Sequence, residues 1–180
     1  MPMELRARQV EVEDDLEAAF QEYYGRGWTD GLPIIPPTPE RVMRMIEGAG
    51  RPAPEVVAIL PPRNAPATVE SVAINAVMAG CQPSYFPVVL AIVEAMGEPS
   101  LDLFGLNATT NHVWLLSVVN GPIRSRLDVN CSYGVMGPGW RANATIGRAA
   151  RLVQLNIAGA RPGEISKSTH GHPGRYTACL

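Results

Sequence analysis

The sequence predicts a single domain of the α/β or α+β class, in which a mixed sheet packs with buried helices. The chain has 180 residues and 46% of them are hydrophobic, so it can bury one core and is short for two. Helical patterns with capping residues are mixed with short apolar runs typical of strands. No stretch has the composition of a linker, so residues 1–180 are expected to form one unit.

The first part of that unit, residues 1–37, is predicted to be a helix followed by a proline-rich arm. Apolar side chains recur on one face over residues 12–24, and Gly25 and Gly27 end this helical pattern. Three prolines follow within residues 28–37, and proline is incompatible with a helix interior. The arm is therefore expected to be extended, and an α/β body is expected over residues 38–180.

Helix signals in the body are strong because capping residues stand at the right places. Thr38 is a good N-cap, Pro39 suits the first helical position, and Gly48 follows the last turn. The predicted helices cover residues 39–47, 68–79, 84–96 and 141–157, with one further turn at 124–128. The predicted strands cover residues 55–60, 101–106 and 113–119, and residues 130–139 are predicted to form a loop. In the last helix one face is apolar: Ile146, Ala149, Ala150, Val153 and Ile157.

The C-terminal residues 174–180 look like the beginning of a strand. An unpaired strand at a sheet edge is prone to pair with another chain. Two interpretations stay open: a second chain supplies the continuation, or the segment is a short terminal strand.

Composition favours a cytoplasmic protein with protein partners and argues against nucleic acid and membranes. Only 18% of the residues are charged, below the roughly 25% typical of soluble domains. The formal net charge is −2 and no basic patch occurs, so nucleic acid and anionic membranes are unlikely partners. The three cysteines are widely spaced and form no disulfide framework. The low charge suggests that a second subunit covers part of the surface.

A glycine loop that runs into the last predicted helix is the main candidate for binding. Gly137 and Gly139 let the backbone approach a ligand closely, and the first amides of a helix lack intrahelical partners. Together with the helix dipole these amides favour an anion, and Arg141 can add a bidentate grip. Asn143 lies in the same first turn. A tight turn with no ligand is the alternative.

Two polar segments at predicted strand ends are candidates for orienting a substrate. Asn107, Thr109 and Thr110 lie between two predicted strands, and Asn120 and Gly121 follow the second one. The alternative is that these side chains form turn hydrogen bonds.

Three groups of residues could carry chemistry. His112 could transfer protons, and Cys131, with Ser132 beside it, could act as a nucleophile if the helix start depresses its pKa. The spacing of His170 and His172 places both imidazoles on one side of an extended chain, where Cys179 could complete a metal site. Each residue also has a purely structural interpretation. A metal ion is the only cofactor that the sequence suggests.

Several of these segments resemble an uncharacterised bacterial protein family with no firmly assigned activity. The resemblance runs from Trp28 to the C-terminus. It rests on TDGLPIIPPTPERV, AGCQPSYFPVVLAIVEAM, VVNGPIRSRLDVN and above all on GPGWRANATIGRAARLVQLNIAGARPGEISKSTHGHPGRY, in which the block GPGxRANATIGRA is specific to the family. Family members continue past residues 174–180, which implies that this chain is the front part of a split member. The resemblance also implies partners with cysteine motifs, hence thiol or redox chemistry. The role of His112 stays open, since its position is expected to vary.

Three functions remain open from the sequence. The first is a subunit of a hetero-oligomeric enzyme that acts on a small metabolite bearing a carboxylate or sulfur, as a lyase or in a thiol or redox reaction. The second is a subunit of a metal-dependent lyase or hydratase. The third is a structural subunit without catalytic activity.

Overall fold

Helices dominate the fold, and a two-stranded sheet lies beside them. The computed structural model describes residues 4–180. In chain order the elements are α1 (Leu16–Gly25), α2 (Pro39–Glu47), β1 (Val56–Leu60), β2 (Ala65–Thr68), α3 (Val69–Ala79), α4 (Phe86–Met96), α5 (Leu103–Ala108), α6 (Pro122–Arg126) and α7 (Arg141–Val153). A π-helical turn, Gln154–Ala158, extends α7, and a 3-10 turn, Pro173–Arg175, lies near the C-terminus.

The helix starts and ends follow the capping residues. The Thr38 side chain accepts a hydrogen bond from the Arg41 amide at the start of α2, with Pro39 in the first turn. Thr68 and Ser71 form a reciprocal capping box at the start of α3, with bonds of 2.9 and 3.1 Å. Gly80 ends α3 in the left-handed conformation that glycine tolerates best. The predicted helices 39–47 and 68–79 are confirmed.

The core lies between α3 and α7, with α2 and α4 packed against α3. Ile46, Phe86, Ile146 and Leu152 are completely buried there. The predicted apolar face of α7 is confirmed, because all five of its members are buried. The C-terminal segment crosses α7 at Gly147, where a Cβ atom would lie 2.6 Å from the Ala178 nitrogen.

The fold is α+β, and its sheet is smaller than the mixed sheet that was predicted. It contains β1 and β2 as an antiparallel pair. The strand predicted over residues 101–106 is wrong: α5 occupies this region, and the Asp102 side chain caps it by accepting from the Gly105 amide at 3.0 Å. Residues 113–119 form no regular strand: Ser117 makes an isolated bridge to Cys179, and the Val119 amide donates to the Leu180 carbonyl at 2.6 Å.

The N-terminal part of the chain lies across α3 and α7. The buried Glu70 carboxylate, in the first turn of α3, accepts hydrogen bonds of 2.8 to 3.0 Å from the amides of Arg6 and Ala7. The amide of Ile35, in the proline-rich arm, donates to the Met78 carbonyl at 3.2 Å. The first helix begins later than predicted, because the Asp15 side chain caps it. None of the helices in residues 4–180 is long and apolar enough to cross a membrane.

Candidate functional site

At the start of α7, polar side chains that were predicted to bind an anion are engaged by the protein. The Arg141 guanidinium donates to the Gly80 carbonyl at 2.9 and 3.1 Å, so it caps the end of α3. The buried Asn143 side chain accepts from the Asn130 amide at 2.8 Å and donates to the carbonyls of Asn130 and Cys179 at 2.9 Å each. None of the cavities described below is lined by residues 137–146.

The loop before α7 holds the other residues predicted to act there. Gly137, Gly139, Cys131 and Ser132 are exposed in it, and the Ser132 amide donates to the Asn130 side chain at 2.9 Å. The two other cysteines are buried, and burial raises the pKa of Cys81 to about 12 and of Cys179 to about 11. Both thiols are therefore protonated at neutral pH, which leaves them without nucleophilic character.

Two polar segments singled out in the sequence meet in the structure. The Lys167 amide donates to the Asn107 carbonyl at 3.1 Å, and the Thr169 amide donates to the Thr110 carbonyl at 3.2 Å. The rings of His112 and His170 consequently lie 4.9 Å apart.

The side chains of the remaining predicted substrate-binding residues have local partners or lie elsewhere. The Asn107 side chain donates to the Leu103 carbonyl at 2.9 Å within α5, and the Thr109 hydroxyl accepts from the Asn111 amide. Asn120 lines a separate apolar groove, and Gly121 begins α6 at a positive φ angle.

The three residues predicted to bind a metal are not brought together. Cys179 is buried beneath α7, whereas His170 and His172 are exposed. The His172 Nδ1 atom accepts a hydrogen bond from the Gly174 amide at 3.0 Å. Across residues 4–180, no group of three His, Cys, Asp or Glu side chains could hold a metal ion. The geometry therefore gives no support to a metal site in this part of the chain.

A cleft of about 930 Å³ separates the TDG turn of the N-terminal arm from the segment that contains His170 and His172. This volume is within the range typical of small-molecule sites. Most of the residues that line the cleft are polar or charged. The lining includes Tyr24, Thr29, Asp30, Gly31, Arg151, Ser166, Ser168, Thr169, His170, His172, Arg175 and Tyr176.

A buried ion pair fixes one wall of the cleft. Asp30 accepts two hydrogen bonds, at 2.9 and 2.8 Å, from Arg148 of α7, and their side chains are only 5% and 14% exposed. Arg148 also donates to the carbonyls of Leu32 and Pro33. Burial opposes the ionisation of Asp30, but the hydrogen bonds and charge of Arg148 outweigh it and lower the pKa of this carboxyl. The pair therefore joins TDGLP to ATIGRA and neutralises both charges.

Two further arginines line the cleft and have no carboxylate partner within residues 4–180. Arg151 donates to the Ala160 carbonyl at 3.2 Å, which uses one of its five N–H groups. Arg175 donates to the Val113 carbonyl at 3.0 Å and to the Ser166 hydroxyl at 2.7 Å. Neither arginine has a nitrogen among the buried atoms that lack a partner, so the donors without a hydrogen bond are accessible to solvent.

The two guanidinium groups place two positive charges at the wall of the cleft. Burial, and secondly the charge of Arg175, lower the pKa of Arg151 below its ordinary value. Burial lowers the pKa of Arg175 as well. Both groups stay charged at neutral pH, because arginine is effectively never deprotonated in proteins. The arrangement can therefore bind an anion, which would supply the missing counter-charge.

The sequence prediction missed both arginines, although a signal for Arg151 was present. Arg151 lies between the buried residues Ala150 and Leu152. The positions three and four residues away are Gly147, Arg148, Gln154 and Leu155, which include no carboxylate. A partly buried arginine without a helical partner indicates a partner elsewhere, in the protein or in a ligand.

No family model matches the chain, and comparisons with curated proteins and with solved structures gave no match either. The resemblance to the bacterial family therefore rests on the sequence motifs alone.

Proposed function

We propose that the chain is an enzyme subunit that binds a small anionic metabolite in the cleft between the TDG turn and the histidine segment. The observation that supports this is the pair Arg151 and Arg175, two partly buried cations that face the cleft without a carboxylate partner in residues 4–180.

The charges in the cleft favour a carboxylate, phosphate or similar group. Arg148 forms an ion pair with Asp30, whereas Arg151 and Arg175 form none within residues 4–180. A partly desolvated guanidinium gains more from an anion than one in bulk water does, and its planar donors match two oxygens at once. The Ser166 hydroxyl accepts from Arg175 and therefore keeps its own proton available to donate.

The residue proposed for proton transfer is His170, which lines the cleft and has His112 beside it. Histidine is the side chain that most often exchanges protons near neutral pH. An anion clamp beside a base suits a lyase, in which a proton next to a carboxylate is removed. Cys131 lines none of the cavities described, so the thiol or redox alternative gains no support from this cleft.

A second subunit and a reducing compartment are part of the same proposal. An apolar groove of about 580 Å³ runs between α4 and residues 115–120, where Leu116 and Val118 are well exposed. Exposed apolar patches of this kind commonly mark protein interfaces. All three cysteines are unpaired, which suits the cytoplasm. The native mass of the protein purified from its own cells tests whether a second subunit is present. A native mass equal to that of a single chain contradicts this part of the proposal.

The binding proposal is tested with Arg151→Met and the matched control Arg126→Met. Arg126 is an exposed arginine on α6 that lines no described cavity. Calorimetric titration with inorganic phosphate and with succinate at low salt is expected to show at least about tenfold weaker binding for Arg151→Met, because a charged hydrogen-bond pair is lost. Arg126→Met is expected to bind like the wild type. Equal affinities in both variants, with unchanged circular dichroism spectra, contradict the proposal.

A further inference from the structure

An imidazole–indole stack stands at the wall of the cleft. The rings of His172 and Trp114 lie 3.7 Å apart and 3° from parallel, so the indole covers one face of the imidazole. Gly174 packs against the same indole: a Cβ atom there would lie 2.6 Å from Trp114 Cδ1. A side chain at position 174 would displace the indole. The close approach of Gly174 and the bond to His172 Nδ1 thus hold the stack in place.

The hydrogen bonds of His172 determine what this ring can offer. Its Nδ1 atom accepts from the Gly174 amide, so the proton of the neutral ring is on Nε2. No atom in residues 4–180 forms a hydrogen bond with Nε2 in the structure. One ring face and one N–H donor of His172 are therefore available to a ligand in the cleft.

Two tyrosines add aromatic surface to the same cleft. Tyr24, at the end of α1, is 59% exposed and Tyr176, next to Arg175, is 51% exposed. Each combines a large apolar ring with a polar hydroxyl, as is typical of side chains that contact ligands. A carboxylate or phosphate alone fills only a small part of 930 Å³, so the cleft has room for a ring beside the anionic group.

From this arrangement we infer that the cleft selects anions that carry a planar aromatic ring, such as an aromatic carboxylate or an aryl phosphate. The anionic group binds Arg151 and Arg175, and the ring stacks on the open face of His172 with Tyr176 beside it. This inference rests on the proposed function, because it needs the arginines to hold the anion.

Phenyl phosphate and methyl phosphate distinguish binding of the anion from selection of the aromatic ring, because they share the anionic group and differ in the ring. The wild-type chain is expected to bind phenyl phosphate about tenfold more tightly than methyl phosphate, as one aromatic stack plus buried ring area would give. His172→Leu and Tyr176→Leu are expected to reduce this preference to about threefold or less. His172→Phe keeps a ring at the same place and is expected to retain most of it. Tyr133→Leu, at a position 95% exposed outside the cleft, is the matched control and is expected to leave the preference unchanged.

These titrations test the selection of the ring, the residues assigned to it and the anion site separately. Equal affinity for the two phosphates in the wild type overturns the inference about the ring and leaves the anion site intact. A preference that persists in both leucine variants shows that the ring binds elsewhere and overturns the assignment to His172 and Tyr176. Absence of binding to either phosphate contradicts the proposed function and, with it, the inference.

Discussion

Each end of α7 carries an arginine, Arg141 or Arg151, but the polar groups of the two ends have different partners. At the first end, Arg141 caps α3 and Asn143 holds the loop and the C-terminal segment, so protein atoms use both side chains. At the other end, Arg151 donates to a single carbonyl and lines the cleft.

This difference separates a structural polar group from a candidate binding group. A glycine loop and a helix start indicate an anion site in many proteins, yet here the neighbouring side chains are satisfied by the chain itself. The guanidinium group of Arg151, which has no ion-pair partner within residues 4–180, lies near the C-terminal end of α7. The variants below test whether the first end is structural and the other end functional.

The largest effect is expected for Asp30→Ala, which breaks the ion pair between the N-terminal arm and α7. Removal of the carboxylate leaves the Arg148 guanidinium partly buried without a counter-charge, at a cost of roughly 3–5 kcal/mol. Urea unfolding followed by circular dichroism measures the loss. Arg148→Met combined with Asp30→Ala is expected to cost less than the sum of the single variants. A loss below about 1 kcal/mol, typical of exposed pairs, contradicts this role.

The same pair predicts a dependence of stability on pH. The folded state lowers the pKa of Asp30, so the stability from its ionised form is fully present above the unfolded pKa of about 4. It is lost as the pH falls through the folded value. The difference in unfolding free energy between the wild type and Asp30→Ala is therefore expected to be largest near neutrality and to shrink below about pH 4. A constant difference down to pH 3 would show that the ion pair is not its source.

A smaller loss is expected for Asn143→Ala at the first end of α7. The change leaves the Asn130 amide and the carbonyls of Asn130 and Cys179 without their side-chain partner, which costs about 2–3 kcal/mol. Asn111→Ala, at an exposed position, is the matched control and is expected to stay within about 0.5 kcal/mol. Unfolding curves that coincide for both variants would mean that the buried network is not needed.

The smallest loss of stability is expected for Arg141→Ala, and this variant compares the two ends of α7 most directly. The exposed guanidinium makes two hydrogen bonds to the Gly80 carbonyl, so its loss is expected to cost about 1 kcal/mol or less. Phosphate affinity, measured by calorimetry, is expected to match that of the wild type. If Arg141→Ala abolishes phosphate binding and Arg151→Met does not, the site lies at the start of α7 after all.

Local signals explain which parts of the fold could be predicted from the sequence. Thr38, Thr68 and the glycines after α2 and α3 define those helices through contacts within a few residues. The sequence of residues 101–106 is compatible with a strand or a helix, because a short apolar run suits both. In the structure the Asp102 side chain caps this segment, which forms the helix α5. The strand β2 was not predicted because Pro66 lies inside it.

The candidate site was only partly predictable, because it depends on contacts between distant parts of the chain. The sequence identified the histidine segment and the polar run before it, and these do meet at His112 and His170. It offered no way to see that Arg148 is neutralised by Asp30, 118 residues away, while Arg151 is not. Partner choice among arginines is a property of the folded chain.

The carboxylate of Glu70 limits which changes the N-terminal residues can tolerate. It holds the chain by main-chain amides of residues 6 and 7, so side-chain identity matters little there, with proline as the exception. A shortened version that begins at residue 8 would strand a buried negative charge. Tags and fusions are therefore better tolerated when they leave this stretch in place.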